Sequence, residues 1–177
     1  QAKERMRFVL DDGSLGILRE RSNWNDSGTA TVIVTMPAPA KLTLAGSGKM
    51  TAASVSDRPE INVLGSGTLA LQSVAASKME VNLAGSGTLQ AAGSADDLDR
   101  NVMGSGTANM AALKAGKANV TVAGSGNAAF ASDGDIDANI MGSGDVTVKG
   151  RARCKVKTMG SGRLVCEDAG DDVGKAA

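Results

Sequence analysis

The chain has 177 residues, 19 basic and 19 acidic, with two Phe, one Trp, no Tyr and no His. That length suits one domain with a sizeable core, and a zero net charge without a local basic stripe argues against nucleic acid as a partner. Missing histidine removes the commonest acid–base group and metal ligand, and no apolar run approaches the ~20 residues of a membrane-spanning helix.

The chain opens at Gln1 and shows no signal-peptide pattern, so it reads as a processed chain or as part of a longer one. Three early segments are strand-like: RMRFVL (5–10), SLGIL (14–18) and TATVIVTM (29–36), with DDGS (11–14) a turn between the first two. DSG at 26–28 resembles a degenerate corner in step with those that follow. Residues 1–39 are therefore read as lead-in strands and a cap.

Seven Gly-Ser-Gly motifs follow: Gly46-Ser47-Gly48, Gly65-Ser66-Gly67, Gly85-Ser86-Gly87, Gly104-Ser105-Gly106, Gly124-Ser125-Gly126, Gly142-Ser143-Gly144 and Gly160-Ser161-Gly162. Successive motifs are 18 to 20 residues apart. A linker does not keep such register; a solenoid does, because each unit stacks on the last. Four residues before each motif stand Leu42, Ile61, Val81, Arg100, Val120, Ala138 and Val156; two before stand Leu44, Val63, Leu83, Val102, Val122, Ile140 and Thr158. Two residues past it stand Met50, Leu69, Leu89, Ala108, Ala128, Val146 and Leu164, and four past it Ala52, Leu71, Ala91, Met110, Phe130, Val148 and Cys166. The residues between these positions are mostly polar. Period-two alternation on both sides of a glycine motif means strand, tight corner, strand.

The fold class is therefore all-β: a single-stranded, right-handed β-helix (β-solenoid) of about seven to eight coils, period about 19, over residues 40–166. With coils about 4.8 Å apart, seven of them make a rod roughly 34 Å long. Glycine supplies the bend, and the stacked serines are expected to hydrogen-bond through their hydroxyls to one another or to corner backbone. The segments between units, such as SVSDRP and SVAASK, read as looser connections, some of which supply an inward apolar residue (Val55, Val74, Leu113). The tail 167–177 is polar and expected to fray. The whole chain, 1–177, is read as one domain.

Several groups invite a chemical reading. A phosphate-binding loop needs a glycine turn at a helix N-terminus; these motifs lie between strands. Five residues before the corners, Glu60, Glu80 and Asp99 would stack as like charges; they either hold a hard cation such as calcium or form a solvated face relieved by Lys78, Arg58 and Arg100. Arg100 interrupts an apolar column, which implies a local register shift or an outward turn toward Asp97 or Asp99, because a lone buried charge is costly. Cys154 and Cys166 fall on inward columns on opposite sides of the last corner. A disulfide there would close the end of the rod, provided the ~10 Å separation of packed sheets narrows to the Cα spacing of about 4.4–6.8 Å that a disulfide requires. No catalytic or cofactor-binding residues are expected, and no cofactor.

The repeated LxGSGxL units, after an entry strand ending in Pro and the transition VIVTMPAPAKLTLAGSG into the repeats, resemble the putative auto-transporter adhesin, head GIN domain family over residues 5–166. LDDGSLGI resembles that family's entry segment. The resemblance implies a β-helical, exported protein, mostly of Gram-negative bacteria, in the periplasm, outer membrane or at the cell surface. It supplies no catalytic residues. The expected function is a non-enzymatic adhesin or cell-envelope module whose ligand is a protein or polysaccharide. Two alternatives stand beside it. One is a scaffold that self-associates into homo-oligomers through its solenoid ends. The other, more remote, is a polysaccharide-acting enzyme, disfavoured by short connections and few aromatic platforms.

Overall fold

The computed structural model describes residues 5–11, 14–20 and 31–167. Its contacts divide the chain into two units, Gln1–Met36 and Pro37–Ala177. In the first, β1 (Arg5–Asp11) and β2 (Ser14–Glu20) form an antiparallel hairpin in which Asp11 faces Ser14 across the expected turn. Residues 31–36 are not a strand, contrary to the sequence expectation, and Ile33 is 89% exposed. Their β-branched side chains favour extension, but a strand exists only with a ladder partner, and among the described residues none pairs with this segment. Residues 26–28 and the tail beyond Glu167 lie outside the described residues.

The second unit is a parallel β-solenoid of seven turns. Its strands are β3 (Lys41–Gly46), β4 (Lys49–Ser54), β5 (Glu60–Gly65), β6 (Thr68–Gly85), β7 (Thr88–Gly104), β8 (Thr107–Gly124), β9 (Asn127–Ser132), β10 (Asp135–Gly142), β11 (Asp145–Lys149), β12 (Arg153–Gly160) and β13 (Arg163–Glu167). Each pairs in parallel with the equivalent strand one turn on, so Gly46, Gly65, Gly85, Gly104, Gly124, Gly142 and Gly160 form one column. The repeat columns deduced from alternation are ladder columns, except that the column four residues past the corner is interrupted between Ala91 and Met110.

The connections are more regular than their sequence suggests. β6, β7 and β8 run from one corner to the next, and the ladder merely shifts register between Leu71 and Val74, Gln90 and Ala92, and Met110 and Lys114. These irregularities absorb the variation in repeat length. Beyond them the ladder that leads into the next corner pairs in register, beginning with the inward column Met79, Leu98, Ala118, Ile136 and Cys154. Val55, Val74 and Leu113 point inward as expected. The core is the column of Val, Leu, Ile, Ala and Met running the length of the stack, closed in the middle by fully buried Phe130. Each large aliphatic in it gains about 1.5–3 kcal/mol from leaving water.

The two glycines of a corner meet different demands. The first adopts φ between 107° and 127° in all seven copies, a region closed to most side chains. The second faces the core: a Cβ on Gly106 would stand 2.6 Å from Leu83 Cδ2 and 3.0 Å from the Gly87 carbonyl oxygen of the preceding coil. The motif thus fits a strand whose second-last apolar residue lies against the next coil's corner. The serine contributes differently than expected. Its backbone N–H donates to the first-glycine carbonyl of the preceding coil, as from Ser66 to Gly46 at 3.0 Å and from Ser86 to Gly65 at 2.9 Å. The side chains are exposed, and among the described residues no hydrogen bond reaches their hydroxyls. At this corner the outward direction belongs to the side chain and the stacking direction to the backbone, so no hydroxyl ladder forms.

The two roles predict opposite outcomes within one corner. Gly106→Ala is expected to lower stability by about 1–3 kcal/mol through overpacking, whereas Ser105→Ala stays within about 0.5 kcal/mol of the parent. Urea midpoints of the two variants, measured side by side, check this.

Candidate functional site

On the outer face of the ladder that precedes the corners, two columns alternate with the buried ones. The first reads Lys41, Glu60, Glu80, Asp99, Asn119, Asp137 and Lys155, in strict register. The second, two residues on, reads Thr43, Asn62, Asn82, Asn101, Thr121, Asn139 and Lys157. Within the second, amides bond along the rod: Asn82 Nδ2 donates to Asn62 Oδ1 at 3.1 Å and Asn101 Nδ2 to Asn82 Oδ1 at 3.2 Å. Parallel in-register stacking suits asparagine, which donates to one neighbour and accepts from the other.

The same stacking is adverse for carboxylates, and the structure relieves it with interleaved partners. Lys78, which belongs to neither column, places Nζ 2.9 Å from Glu80 Oε1 and 3.0 Å from Asp99 Oδ2. Glu60 Oε1 accepts from Asn62 Nδ2 at 2.8 Å and lies 3.0 Å from Lys41 Nζ. Asn119 Nδ2 donates to Asp99 Oδ1 at 2.9 Å. These contacts hold the Glu60 carboxyl below the usual range, through Asn62 first and Lys41 next, and the Asp99 carboxyl likewise, through Asn119 and then Lys78. The Lys78 ammonium is held above its ordinary value by Glu80 and Asp99.

Glu60, Glu80 and Asp99 therefore stack as expected, and the Lys78 ammonium, one of the three cations expected to relieve them, bridges Glu80 and Asp99. Among the described residues no group of three acids or cysteines gathers closely enough to hold a metal ion. Of the other two cations expected to relieve the column, Arg58 lies 3.8 Å from Asp57 instead, and Arg100 faces the core. Across this face Glu80, Asn82, Asp99, Asn101, Asn119 and Thr121 line a shallow recess of about 290 Å³, with Arg100 the inward residue between Asp99 and Asn101. Carboxylates, amides and a hydroxyl converge there, a set suited to hydrogen-bonding a polar ligand.

Arg100 corrects the sequence expectation. Its ladder is unbroken, with Val81 on one side and Val120 on the other, and the side chain is 1% exposed. Nη2 donates to the Asn127 carbonyl oxygen in the next coil at 3.2 Å. Burial alone pushes the guanidinium down to about 9, so it stays charged at neutral pH. Strand register decides its direction: flanking residues Asp99 and Asn101 stand outward in ladder columns, and alternation leaves Arg100 only the interior.

The rod's two ends differ from its middle. Arg153, Lys155 and Lys157 stand on the outward, exposed positions of β12, and Arg163 begins β13. A local basic stripe does exist, contrary to the composition-level reading, because period-two spacing hides it in RARCKVK. It lies beside Asp135 and Asp137 of the preceding coil, and Arg163 Nε is 3.6 Å from Asp145 Oδ1. The N-terminal coil carries Lys41 and Lys49 in the matching columns.

Cys154 and Cys166 form the expected disulfide across the last coil, with Cα atoms 6.7 Å apart. Cys154 stacks under Ile136 and Cys166 under Val148, so both occupy inward columns where the coil is narrow enough to be bridged.

Two outcomes follow from these contacts. Asp57 and Asp133, like Glu60 and Asp99, are held below the usual carboxylate range, by Ser77 and by Lys114 respectively. A depressed folded value means stability that is full above the unfolded value of about 4 and lost as pH falls through the folded values. Urea midpoints should therefore decline below about pH 4, and Lys78→Met should flatten that decline by releasing Asp99. Separately, the paired Cys154→Ser and Cys166→Ser substitutions should cost about 3 kcal/mol at most, read from the same denaturation curves.

The family model for the putative auto-transporter adhesin, head GIN domain, matches residues 1–152, which takes in the hairpin and the first six corners. No curated protein matches the chain. By that match the chain belongs to the putative auto-transporter adhesin, head GIN domain family.

Proposed function

We propose that this chain is a non-enzymatic, exported bacterial binding module, an adhesin or cell-envelope domain, and that it engages a polar ligand through the acid–amide strip. The observation that carries the reading is the recess lined by Glu80, Asn82, Asp99, Asn101, Asn119 and Thr121. Its polar groups recur at the strand spacing of about 4.8 Å, an acid or amide in one column and an amide or hydroxyl in the other, so a linear polymer lying along the ladder meets hydrogen-bonding groups at each step. Among the described residues of the solenoid, the aromatic side chain Phe130 is buried in the core and offers no stacking platform there. Recognition on this face rests on hydrogen bonds to hydroxyl, amide or amine groups. Family membership and the Cys154–Cys166 disulfide support export to an oxidising compartment, periplasm or cell surface.

Head-to-tail stacking of copies is the weaker reading. An in-register junction would place Lys155 against Lys41 and Arg163 against Lys49, and like charges directly opposite each other are destabilising.

The test is binding to polysaccharide arrays and to isolated envelope fractions, with Asn82→Ala/Asn101→Ala as the control. Two hydrogen bonds at about 1 kcal/mol each make the expected loss at least about tenfold. Equal binding by parent and variant, or turnover of any bound polysaccharide, would overturn the proposal.

A further inference from the structure

We propose that the solenoid core beside Arg100 is a binding site for one small monovalent anion, a halide such as chloride, held by Nε and Nη1 of the guanidinium. Arg100 is 1% exposed, and Nη2 alone has a partner, the Asn127 carbonyl oxygen at 3.2 Å. Nε and Nη1 are buried, and no protein group accepts from them among the described residues. Buried donors of this kind are rare because each forfeits its hydration.

The charge makes the demand stronger. Guanidinium does not deprotonate in proteins, and a buried cation is tolerated when it is paired. The carboxylate nearest in sequence is committed elsewhere: Asp99 is outward, held by Lys78 and Asn119. Only burial perturbs Arg100, with no carboxylate contributing. A water molecule would satisfy donors and leave the charge uncompensated. An anion does both.

The surroundings provide room. Two residues past the corner, neighbouring coils place Leu69, Leu89 and Val146 in the core, but Ala108 and Ala128 stand in Arg100's own coil and the next. Ala128 directly follows Asn127, whose carbonyl receives Nη2, so the guanidinium lies where this column is truncated. Ala118 stands between Leu98 and Ile136 in Arg100's own ladder, two positions before Val120. Shortening Leu to Ala twice releases more volume than Arg adds to the Val of its column. Met110 and Phe130, fully buried two residues beyond Ala108 and Ala128, take back part of that volume, so the space left suits a single small ion rather than an oxyanion with several heavy atoms. The neighbouring backbone N–H groups are engaged in ladders, so the guanidinium supplies the charge-assisted donors.

The experiment has two arms. In the first, the parent and Arg100→Met are refolded in sodium bromide or in sodium methanesulfonate at equal ionic strength, and their melting temperatures compared. The parent is expected to melt several degrees higher in bromide, while Arg100→Met shows no difference between salts; equal responses of the two proteins would overturn the proposal. In the second, crystals of the parent grown from bromide are examined by anomalous scattering. A peak within hydrogen-bonding distance of both Nε and Nη1 supports the site. A side chain inward as described with no peak there, or one turned out to solvent, overturns it, and this arm does not depend on the variant folding.

Discussion

Everything in this molecule follows from the approach of one coil to the next, a separation of about 4.8 Å set by backbone hydrogen bonds. At that distance each residue lies directly on its counterpart one repeat away. A position is therefore acceptable only if its side chain tolerates a copy of itself or of its replacement in the column. Aliphatic residues satisfy this inside the stack. Glycine satisfies it at the corner, where the preceding carbonyl occupies the space of a Cβ. Asparagine satisfies it outside, because an amide both gives and takes. Carboxylates fail it, and where three stack, a lysine from outside the column enters between two of them.

This constraint also explains what the sequence made legible. A column that accepts only self-compatible residues leaves a periodic trace, so the corners and inward ladders are readable from spacing alone. The disulfide was readable as a pairing of inward columns, though the narrowing that permits it was not. What escaped was whatever departs from period. Lys78 is the exception: its relief of the carboxylate column reads from its place two residues before Glu80, while the continuous β6 that carries it between coils does not. Residues 31–36 have strand propensity, but propensity is silent on whether a partner strand exists. The basic stripe of β12 leaves no trace in composition because its members alternate with Ala152, Cys154 and Val156 and never form a run.

Arg100 escaped for a more instructive reason. Judged alone, an arginine in an apolar column implies a shifted register, because burial is costly. The alanines that accommodate it, Ala108 and Ala128, belong to a different column and, in one case, to the next coil. Nothing in a one-dimensional alignment of repeats connects the three. Their relation appears once the corner has folded one ladder across the other and Nη2 is found on the Asn127 carbonyl. Column-wise reading assumes that each column is judged by its own members, and the core breaks that assumption because opposite columns share volume.

The outer strip and the buried charge are not independent features. Asp99, Arg100 and Asn101 are consecutive, the first and last lining the recess while the middle one fills the core. A strand has no freedom to move one of these side chains without its neighbours: a one-residue slip exchanges inside for outside. The guanidinium, tied through Asn127 to the following coil, thereby pins the segment that presents Asp99 and Asn101. Neighbouring turns can exchange valine for isoleucine inward and leave their outer columns undisturbed. In this turn, the interior group that requires a counter-charge and the exterior groups that offer hydrogen bonds are held by the same three peptide units. A strip built from otherwise interchangeable coils thus acquires one distinguishable position along its length.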